Sequence, residues 1–182
     1  MARASSMKAK APRLTAKRFA EAAGVELGDI RRFQKMAKSY NDAARKWAAR
    51  NNYEGNLWRP WTMQAMSQSR TRSPAEAFRY AMEELQDRLR DGVSNLLNTQ
   101  KKRYVENLMT AISTDSRFLT DKDMQKLVDK WQKGKVSEDE IFRATGGMEI
   151  SALYIGKEAG TTGDVSADFS PIMDRMAAAG II

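Results

Sequence analysis

The stretch RFAEAAGVELGDIRRFQKMA, residues 18–37, decides how the first part of this chain folds. A helix-turn-helix requires a small residue in its first helix and a glycine at the turn four positions later. Ala20 and Gly24 meet that spacing. The motif also requires buried apolar side chains around and after the turn, which the chain supplies as Val25, Ile30 and Phe33. The stretch therefore predicts two helices joined at Gly24, the first capped by Thr15.

The second helix of this pair is predicted to be long. Asp29 is positioned to cap it, and apolar residues then recur at intervals of three and four. They are Phe33, Met36, Tyr40, Ala44 and Trp47. In a helix-turn-helix, the residues facing DNA would be Arg31, Arg32, Gln34 and Lys35. The alternative is two amphipathic helices joined at the glycine that contact phosphates only, because a helix to about Trp47 exceeds a usual recognition helix.

The positive charge is concentrated at the start of the chain. Residues 1–50 hold 13 Lys and Arg against 4 Asp and Glu, a net charge of +9, whereas residues 51–182 hold 18 against 19, a net charge of −1. This asymmetry predicts a region that binds the phosphates of a nucleic acid, with a basic tail that aids solubility as the alternative. The predicted DNA-binding residues are Lys8, Lys10, Arg13, Lys17, Arg18, Arg31, Arg32, Lys35, Lys38, Arg45 and Lys46.

The rest of the chain also carries helix signals. Ser73 is placed as an N-cap, with Pro74 in the first turn and Glu76 completing a capping box. Apolar residues follow in one seam that passes Gly92 and reaches Leu96. We predict core positions at Phe78, Leu85, Leu89, Leu127 and Trp131.

Three later segments resemble helix starts, at residues 120–123 (TDKD), 137–140 (SEDE) and 170–171 (SP). The last of these helices is predicted to turn Ile172, Met173, Met176 and Ala177 inward. The segment MEISALYI, residues 148–155, fits either a strand or a helical turn. The predicted fold class is all-α, with at most one short β-like turn near residues 148–156. It consists of a basic N-terminal helical arm and a small helical bundle.

Composition divides the chain into four parts. We predict a disordered basic tail at 1–13, a basic helical DNA-binding region at 14–52, a Trp-containing linker at 53–72, and a helical body with a C-terminal hydroxyl-rich loop at 73–182. The third part, which holds Trp58 and Trp61, is either a linker or an ordered segment that packs its aromatic side chains on a neighbour.

The residues that enzymes use most are missing or occupied by other roles. The chain has no Cys and no His, which removes thiolate nucleophiles, the commonest general base and most zinc sites. No phosphate-binding glycine loop and no hydrolase motif occurs. The carboxylates at 121–123 and 138–140 sit where helix caps belong. We therefore predict no catalytic residue, no metal site and no enzymatic activity of its own. No apolar run approaches the ~20 residues of a membrane span, so we predict no membrane partner.

From Tyr104 onward, three segments follow one another in a distinctive order. They are a Tyr-x-x-Asn segment at Tyr104 and Asn107, a short helix started by Ser and Glu at 137–142, and a Tyr-containing turn at 150–158. This order, over residues 73–180, resembles the terminal proteins of phages that replicate linear DNA by protein priming. The resemblance implies DNA and a viral DNA polymerase as partners. It also implies a location at the nucleoid in the host cytoplasm and in the virion.

In that family, one Ser, Thr or Tyr hydroxyl becomes covalently linked to DNA as the primer. The polymerase supplies the divalent metal ions and the dNTP, so the resemblance implies no cofactor of the protein's own. Glycines at 156, 160 and 163 predict a mobile, hydroxyl-rich segment. The candidate priming residues are Tyr154, Ser151, Thr161, Thr162 and Ser166. Position in the family-like turn favours the first two, and exposure on a loop favours Thr161 and Thr162.

Two functions from other classes fit the same sequence. The first is a helix-turn-helix-like DNA-binding regulator, which would bind a short operator and leave DNA ends free. The second is a phage structural or scaffold protein with a basic arm, which would assemble with itself without DNA. The sequence predicts no particular oligomeric state.

Overall fold

The computed structural model describes residues 13–155 and 164–182, and it confirms the predicted helical fold class. A 3-10 turn lies at Ser116–Phe118. The helices are α1 Ala16–Ala23, α2 Leu27–Arg50, α3 Met63–Ser67, α4 Pro74–Arg90, α5 Val93–Thr114, α6 Lys122–Gln132, α7 Glu138–Thr145 and α8 Ser170–Ala178; the strands are β1 Ser151–Ile155 and β2 Asp164–Asp168. The predicted β-like turn near 148–156 is a strand, β1, which pairs antiparallel with β2. None of the helices in the described part of the chain combines the length and apolar composition that crossing a bilayer demands.

The described residues form two compact units that alternate along the chain. The first unit contains residues 13–42 and 58–92, and the second contains residues 43–57, 93–155 and 164–182. One boundary between them falls inside α2. Each unit has its own set of buried side chains.

The core of the first unit is built by α1, the start of α2, α3 and α4. Ile30 and Phe33 are buried, as the helix-turn-helix pattern predicts, whereas Val25 is only half-buried. Phe19 is buried beside them. The Phe78 ring of α4 meets the rings of Phe19 and Phe33 edge-on, at centroid distances of 6.3 and 5.7 Å. Because α4 packs its apolar side chains against both helices of the pair, α1 and α2 are an integral part of the core of this unit.

The core of the second unit lies among α5, α6, α7 and α8. Its fully buried side chains include Leu108, Ile112, Met124, Leu127, Ile141, Ile172 and Met176. An aromatic cluster adjoins them, in which the Tyr53 and Phe142 rings stack with centroids 5.9 Å apart. Trp47 contacts both of these rings and donates its indole N–H to Asn98 Oδ1 at 2.8 Å. The buried Trp47 thereby meets the requirement that an indole N–H find a partner.

Most helix ends follow the local signals. Thr15, Ser73 and Ser137 each cap a helix by accepting a backbone hydrogen bond, from Arg18, Glu76 and Glu140 respectively. Gly24 ends α1 in the left-handed region, with φ of 66°. One predicted cap is wrong. Helix α2 begins at Leu27, so Asp29 lies within its first turn. The predicted helix start at 120–123 is confirmed, because Asp121 caps α6 by accepting from two backbone amides.

The predicted continuous helix through Gly92 is two helices in the structure. Gly92 has φ of 81°, a left-handed conformation that glycine adopts without steric penalty. Its amide bonds to the Leu89 carbonyl at 3.2 Å, which closes α4 before α5 begins at Val93. The apolar spacing on both sides of Gly92 was compatible with one helix, and only the backbone conformation of the glycine separates them.

Residues 53–72 are ordered and divided between the units. Tyr53 packs in the second unit as described above, whereas the Trp58 ring meets the Tyr40 ring edge-on at 5.0 Å in the first unit. This supports the alternative of an ordered segment that packs its aromatic side chains. Four other predicted burials are only partial or wrong, because Leu89, Trp131 and Met173 are half-buried and Ala177 is exposed.

Shortening Leu85 should strongly destabilise the first unit. The side chain is 0% exposed, so Leu85→Ala leaves a cavity and is expected to lower the free energy of unfolding by about 2–5 kcal/mol. Leu89→Ala is a matched control on the same helix, and we expect a smaller loss because Leu89 is half-buried. Urea unfolding followed by circular dichroism measures both variants. A loss below about 0.5 kcal/mol for Leu85→Ala would show that this seam is not core.

A buried lysine makes the second unit sensitive to acid. Lys101, 7% exposed, donates to Asn51 Oδ1 at 2.8 Å and forms an ion pair with Asp139. The hydrogen bond from Lys101 lowers the pKa of the Asp139 carboxyl below its ordinary value of 3.8. A lowered folded-state pKa adds stability that is present above this ordinary value and is lost as the pH falls through the folded pKa.

The Asp139→Asn variant should therefore be less stable than the original chain at pH 7, because it leaves the buried ammonium without its counter-charge. The difference in the free energy of unfolding should shrink as the pH falls below about 4, where the carboxyl of the original chain takes up a proton. Chemical unfolding at a series of pH values measures it. An unchanged difference between pH 7 and pH 3 would contradict the assigned ion pair.

Candidate nucleic-acid interface and hydroxyl-bearing hairpin

The turn between α1 and α2 is fixed by backbone hydrogen bonds. The Val25 amide donates to the Ala20 carbonyl at 3.1 Å, and the Gly24 amide donates to the Glu21 carbonyl at 3.4 Å. A side chain at position 24 would be strained because of its positive φ. Ala20 and Ala23 are buried, and α1 contacts α3 and α4. The turn itself is thus set by Gly24, which the sequence pattern identified.

The outer side of this helix pair is basic. Between Arg13 and Lys38 the chain has seven Lys and Arg against three Asp and Glu. All seven cations are exposed. None of them makes an ion pair with any residue in the described ranges 13–155 and 164–182. We call them the basic face; they are Arg13, Lys17, Arg18, Arg31, Arg32, Lys35 and Lys38. The same two helices therefore present apolar residues to Phe78 and cations to solvent.

The other predicted DNA-binding residues have different positions. Arg45 and Lys46 are exposed on the end of α2 that belongs to the second unit. Lys8 and Lys10 lie outside the described residues. Gln34, predicted to face DNA, donates weakly to the Met63 sulfur of α3 at 3.6 Å. Whether any of these side chains contacts DNA remains a prediction.

The β-hairpin gives the candidate hydroxyls defined positions along the backbone. Ser151 pairs with Asp168 at the base of the hairpin, and Tyr154 pairs with Val165 one step before the last described pair. Ser166 pairs with Leu153. Thr161 and Thr162 lie outside the described residues, in the segment 156–163 that joins the strands. The strands thus bring Ser166 of β2 into the same two-stranded element as Ser151 and Tyr154 of β1.

The base of this hairpin is held by two side chains of the second unit, Tyr104 and Arg117. The Tyr104 hydroxyl donates to the Met148 carbonyl at 2.6 Å, just before β1. The Arg117 guanidinium donates to the Ala167 carbonyl in β2 and pairs with Asp115 at 2.6 Å. Hydrogen bonds from Arg117 hold the pKa of the Asp115 carboxyl below its ordinary value of 3.8. Burial raises the pKa of the Tyr104 hydroxyl, so Tyr104 stays a neutral donor at physiological pH.

Phe169 continues this attachment after β2. The Phe118 and Phe169 rings meet edge-on at 5.4 Å, and both are buried. Neither Arg117 nor Phe169 was predicted, because no local sequence signal marks a side chain that binds a segment about 50 residues away. Among the residues that the structure describes, no group of three His, Cys, Asp or Glu side chains lies close enough to hold a metal ion.

Comparison with known proteins does not assign this chain to a family. Neither protein-family models, nor curated proteins, nor solved structures gave a match. The basic face and the hairpin are therefore the features of this chain that bear on its function.

Proposed function

We propose that this chain binds duplex DNA through the basic face and provides a hydroxyl of the hairpin as the primer for a viral DNA polymerase. The proposed DNA binding rests on the pair formed by α1 and α2, which has a buried side and a charged, exposed side. Its inner side packs on Phe78, and its outer side presents seven exposed cations without an ion-pair partner among the described residues. Phosphates would supply the missing counter-charges, and their condensed cations would be released on binding.

In a helix-turn-helix docking, the N-terminal end of α2 would approach DNA. Recognition helices contact base edges with their N-terminal residues, and Arg31, Arg32 and Lys35 lie in the first turns of α2. Lys17 and Arg18, at the start of α1, can reach the phosphate backbone as first-helix residues do. Helix α2 has 24 residues and continues past this region. Phosphate contact along its length therefore fits the proposal better than base reading alone.

The test of DNA binding is the affinity for labelled duplexes of unrelated sequence over a range of salt concentrations. The proposal predicts similar affinity for each duplex and a linear fall of log K with log salt. A regulator would instead prefer one sequence by about 10³-fold or more. A scaffold would associate with itself in the absence of DNA.

The second part rests on the hairpin. Priming needs a hydroxyl that enters the active site of a polymerase while the rest of the protein stays in place. Side chains that hold Met148 and Ala167 would fix the base of the hairpin that bears Ser151, Tyr154 and Ser166. A reacting group must be held by rigid elements of the protein if it is to be positioned accurately for reaction.

The reaction is a nucleotidyl transfer. The hydroxyl oxygen of one hairpin residue attacks the α-phosphorus of a dNTP and forms a new P–O bond. The bond from that phosphorus to pyrophosphate breaks, and the hydroxyl proton is passed to solvent. The polymerase supplies the two metal ions that stabilise the attacking and leaving oxygens. The chain thus needs no histidine or cysteine of its own, in agreement with its composition.

The test of priming is incubation of the chain with the viral polymerase of its own system, Mg²⁺ and radiolabelled dNTP. Covalent label on the chain is expected only when the polymerase is present. Label without polymerase, or no label with it, would contradict the priming role. DNA binding would then be judged separately by the salt series.

A further inference from the structure

The first unit has a second notable surface, formed by aromatic rings and arginines of residues 58–88. The Trp61 and Tyr80 rings lie 5.9 Å apart, tilted by 52°. The Arg72 guanidinium lies 4.2 Å from the Tyr80 ring centroid, and that of Arg88 lies 3.9 Å from the Trp58 centroid. We call Trp58, Trp61, Arg72, Tyr80 and Arg88 the aromatic–arginine surface.

This surface is not part of the core of the unit. Tyr80 is 42% exposed, and Trp58 and Trp61 are half-buried. Phe78, two residues earlier on α4, is buried against α1 and α2. Because residues two apart on a helix do not share a face, Tyr80 lies on a different side of α4 from the helix pair. The Tyr80 part of the aromatic–arginine surface therefore lies away from the helix pair, whereas Trp58 packs on Tyr40 of α2.

The charges favour an anionic ligand on one side of the rings. Residues 57–75 contain three arginines, Arg59, Arg70 and Arg72, and no Asp or Glu. Arg59 and Arg70 are exposed. On α4, however, the carboxylates of Glu76 and Glu83 are exposed within one turn of Tyr80, and the half-buried Glu84 carboxylate lies 3.8 Å from the Arg88 guanidinium. A polyanion would thus follow the 57–75 segment and keep away from the acidic side of α4.

The geometry points to a binding site for single-stranded nucleic acid on the aromatic–arginine surface. Unpaired bases present flat faces that stack on aromatic rings and on guanidinium planes, and the adjoining phosphates pair with arginines. A duplex keeps its base faces stacked on one another and cannot use the rings in this way. The site extends the proposed DNA binding but depends on different residues from the basic face.

The same contacts also hold the 58–72 segment against α4, so a useful test must separate binding from packing. Tyr80→Leu keeps apolar bulk and removes the ring, whereas Tyr80→Phe keeps the ring and removes the hydroxyl. The probes are a labelled oligothymidine of about 12 nucleotides, within the usual site size, and a duplex of the same length. Thermal unfolding reports whether each variant is folded.

We expect the Tyr80→Leu variant to bind the oligothymidine about 5- to 100-fold more weakly, the loss of one stacked base. Its affinity for the duplex and the salt dependence of both affinities should stay unchanged, because no charge is removed. Tyr80→Phe should bind as the original chain does. Conversely, glutamine at Arg31, Arg32 and Lys35 should weaken duplex binding far more than oligothymidine binding.

Three results would overturn the site. They are failure of the original chain to bind the oligothymidine, unchanged binding by a folded Tyr80→Leu variant, and equal loss of single-strand and duplex binding in that variant. The first would leave the surface to another kind of partner, such as a protein. None of the three affects the proposed role of the basic face, whose own variants report on it separately.

Discussion

Replacing Arg31, Arg32 and Lys35 together by glutamine is expected to reduce duplex affinity by more than an order of magnitude at 0.1 M salt. Each phosphate contact contributes about 0.9 to the slope of log K against log salt, so losing three should lower the slope by about 2.7. The three side chains are exposed, and glutamine is a good helix former, so the fold should persist. Fluorescence anisotropy with a labelled duplex over a salt series measures both quantities.

A matched variant removes the same charge from the second unit. Lys122, Lys126 and Lys135 are also exposed, and their replacement by glutamine changes the net charge equally. This control should leave the slope nearly unchanged. Equal losses in both variants would mean that the chain binds DNA through net charge alone. Point substitutions are preferable to deleting residues 1–50, because α1 and α2 pack on Phe78 and their removal would expose the core.

Removal of the priming hydroxyl is expected to abolish nucleotide attachment completely, because no other atom of the chain can replace the attacking oxygen. The variants are Ser151→Ala, Tyr154→Phe, Thr161→Val, Thr162→Val and Ser166→Ala, and only one should lose the label. The chemistry of the linkage separates them beforehand. A serine or threonine phosphoester is labile in alkali, whereas a tyrosine phosphoester resists it. Mass spectrometry of the labelled chain then identifies the residue.

The inactive variant should still bind the polymerase and unfold at the same temperature as the original chain, because it loses one oxygen atom or a similarly small group. The other four variants are its matched controls. Label that persists in all five, or that maps outside residues 148–170, would contradict the assignment to the hairpin. Retained DNA binding in that case would favour the regulator.

Features governed by neighbouring residues were predictable from the sequence. The caps at Thr15, Ser73 and Ser137 depend on a hydroxyl and an amide three residues on, and all three were identified. The apolar face of α2 depends on helical periodicity, and the burial of Phe33 and Tyr40 agrees with it. The exposure of the seven cations of the basic face follows from the same periodicity.

Features governed by distant residues were not predictable. The break at Gly92 depends on a backbone conformation that apolar spacing does not encode. The strand at 151–155 could be assigned only with its partner at 164–168, because the short segment fits a strand or a helical turn equally well. The anchors Tyr104 and Arg117 act on carbonyls 44 and 50 residues away. The four predicted parts are consecutive segments of the chain, whereas each of the two compact units combines segments that alternate along it.

The most direct test of the proposed DNA binding is to titrate an unlabelled duplex into the ¹⁵N-labelled chain and follow the backbone amide resonances. If the basic face binds the duplex, we expect the largest shifts between Lys17 and Lys38, on α1, the turn at Gly24 and the start of α2. They should weaken as salt is raised, because the contacts are ionic. Shifts confined to residues 93–182, or no shifts at low salt, would contradict it.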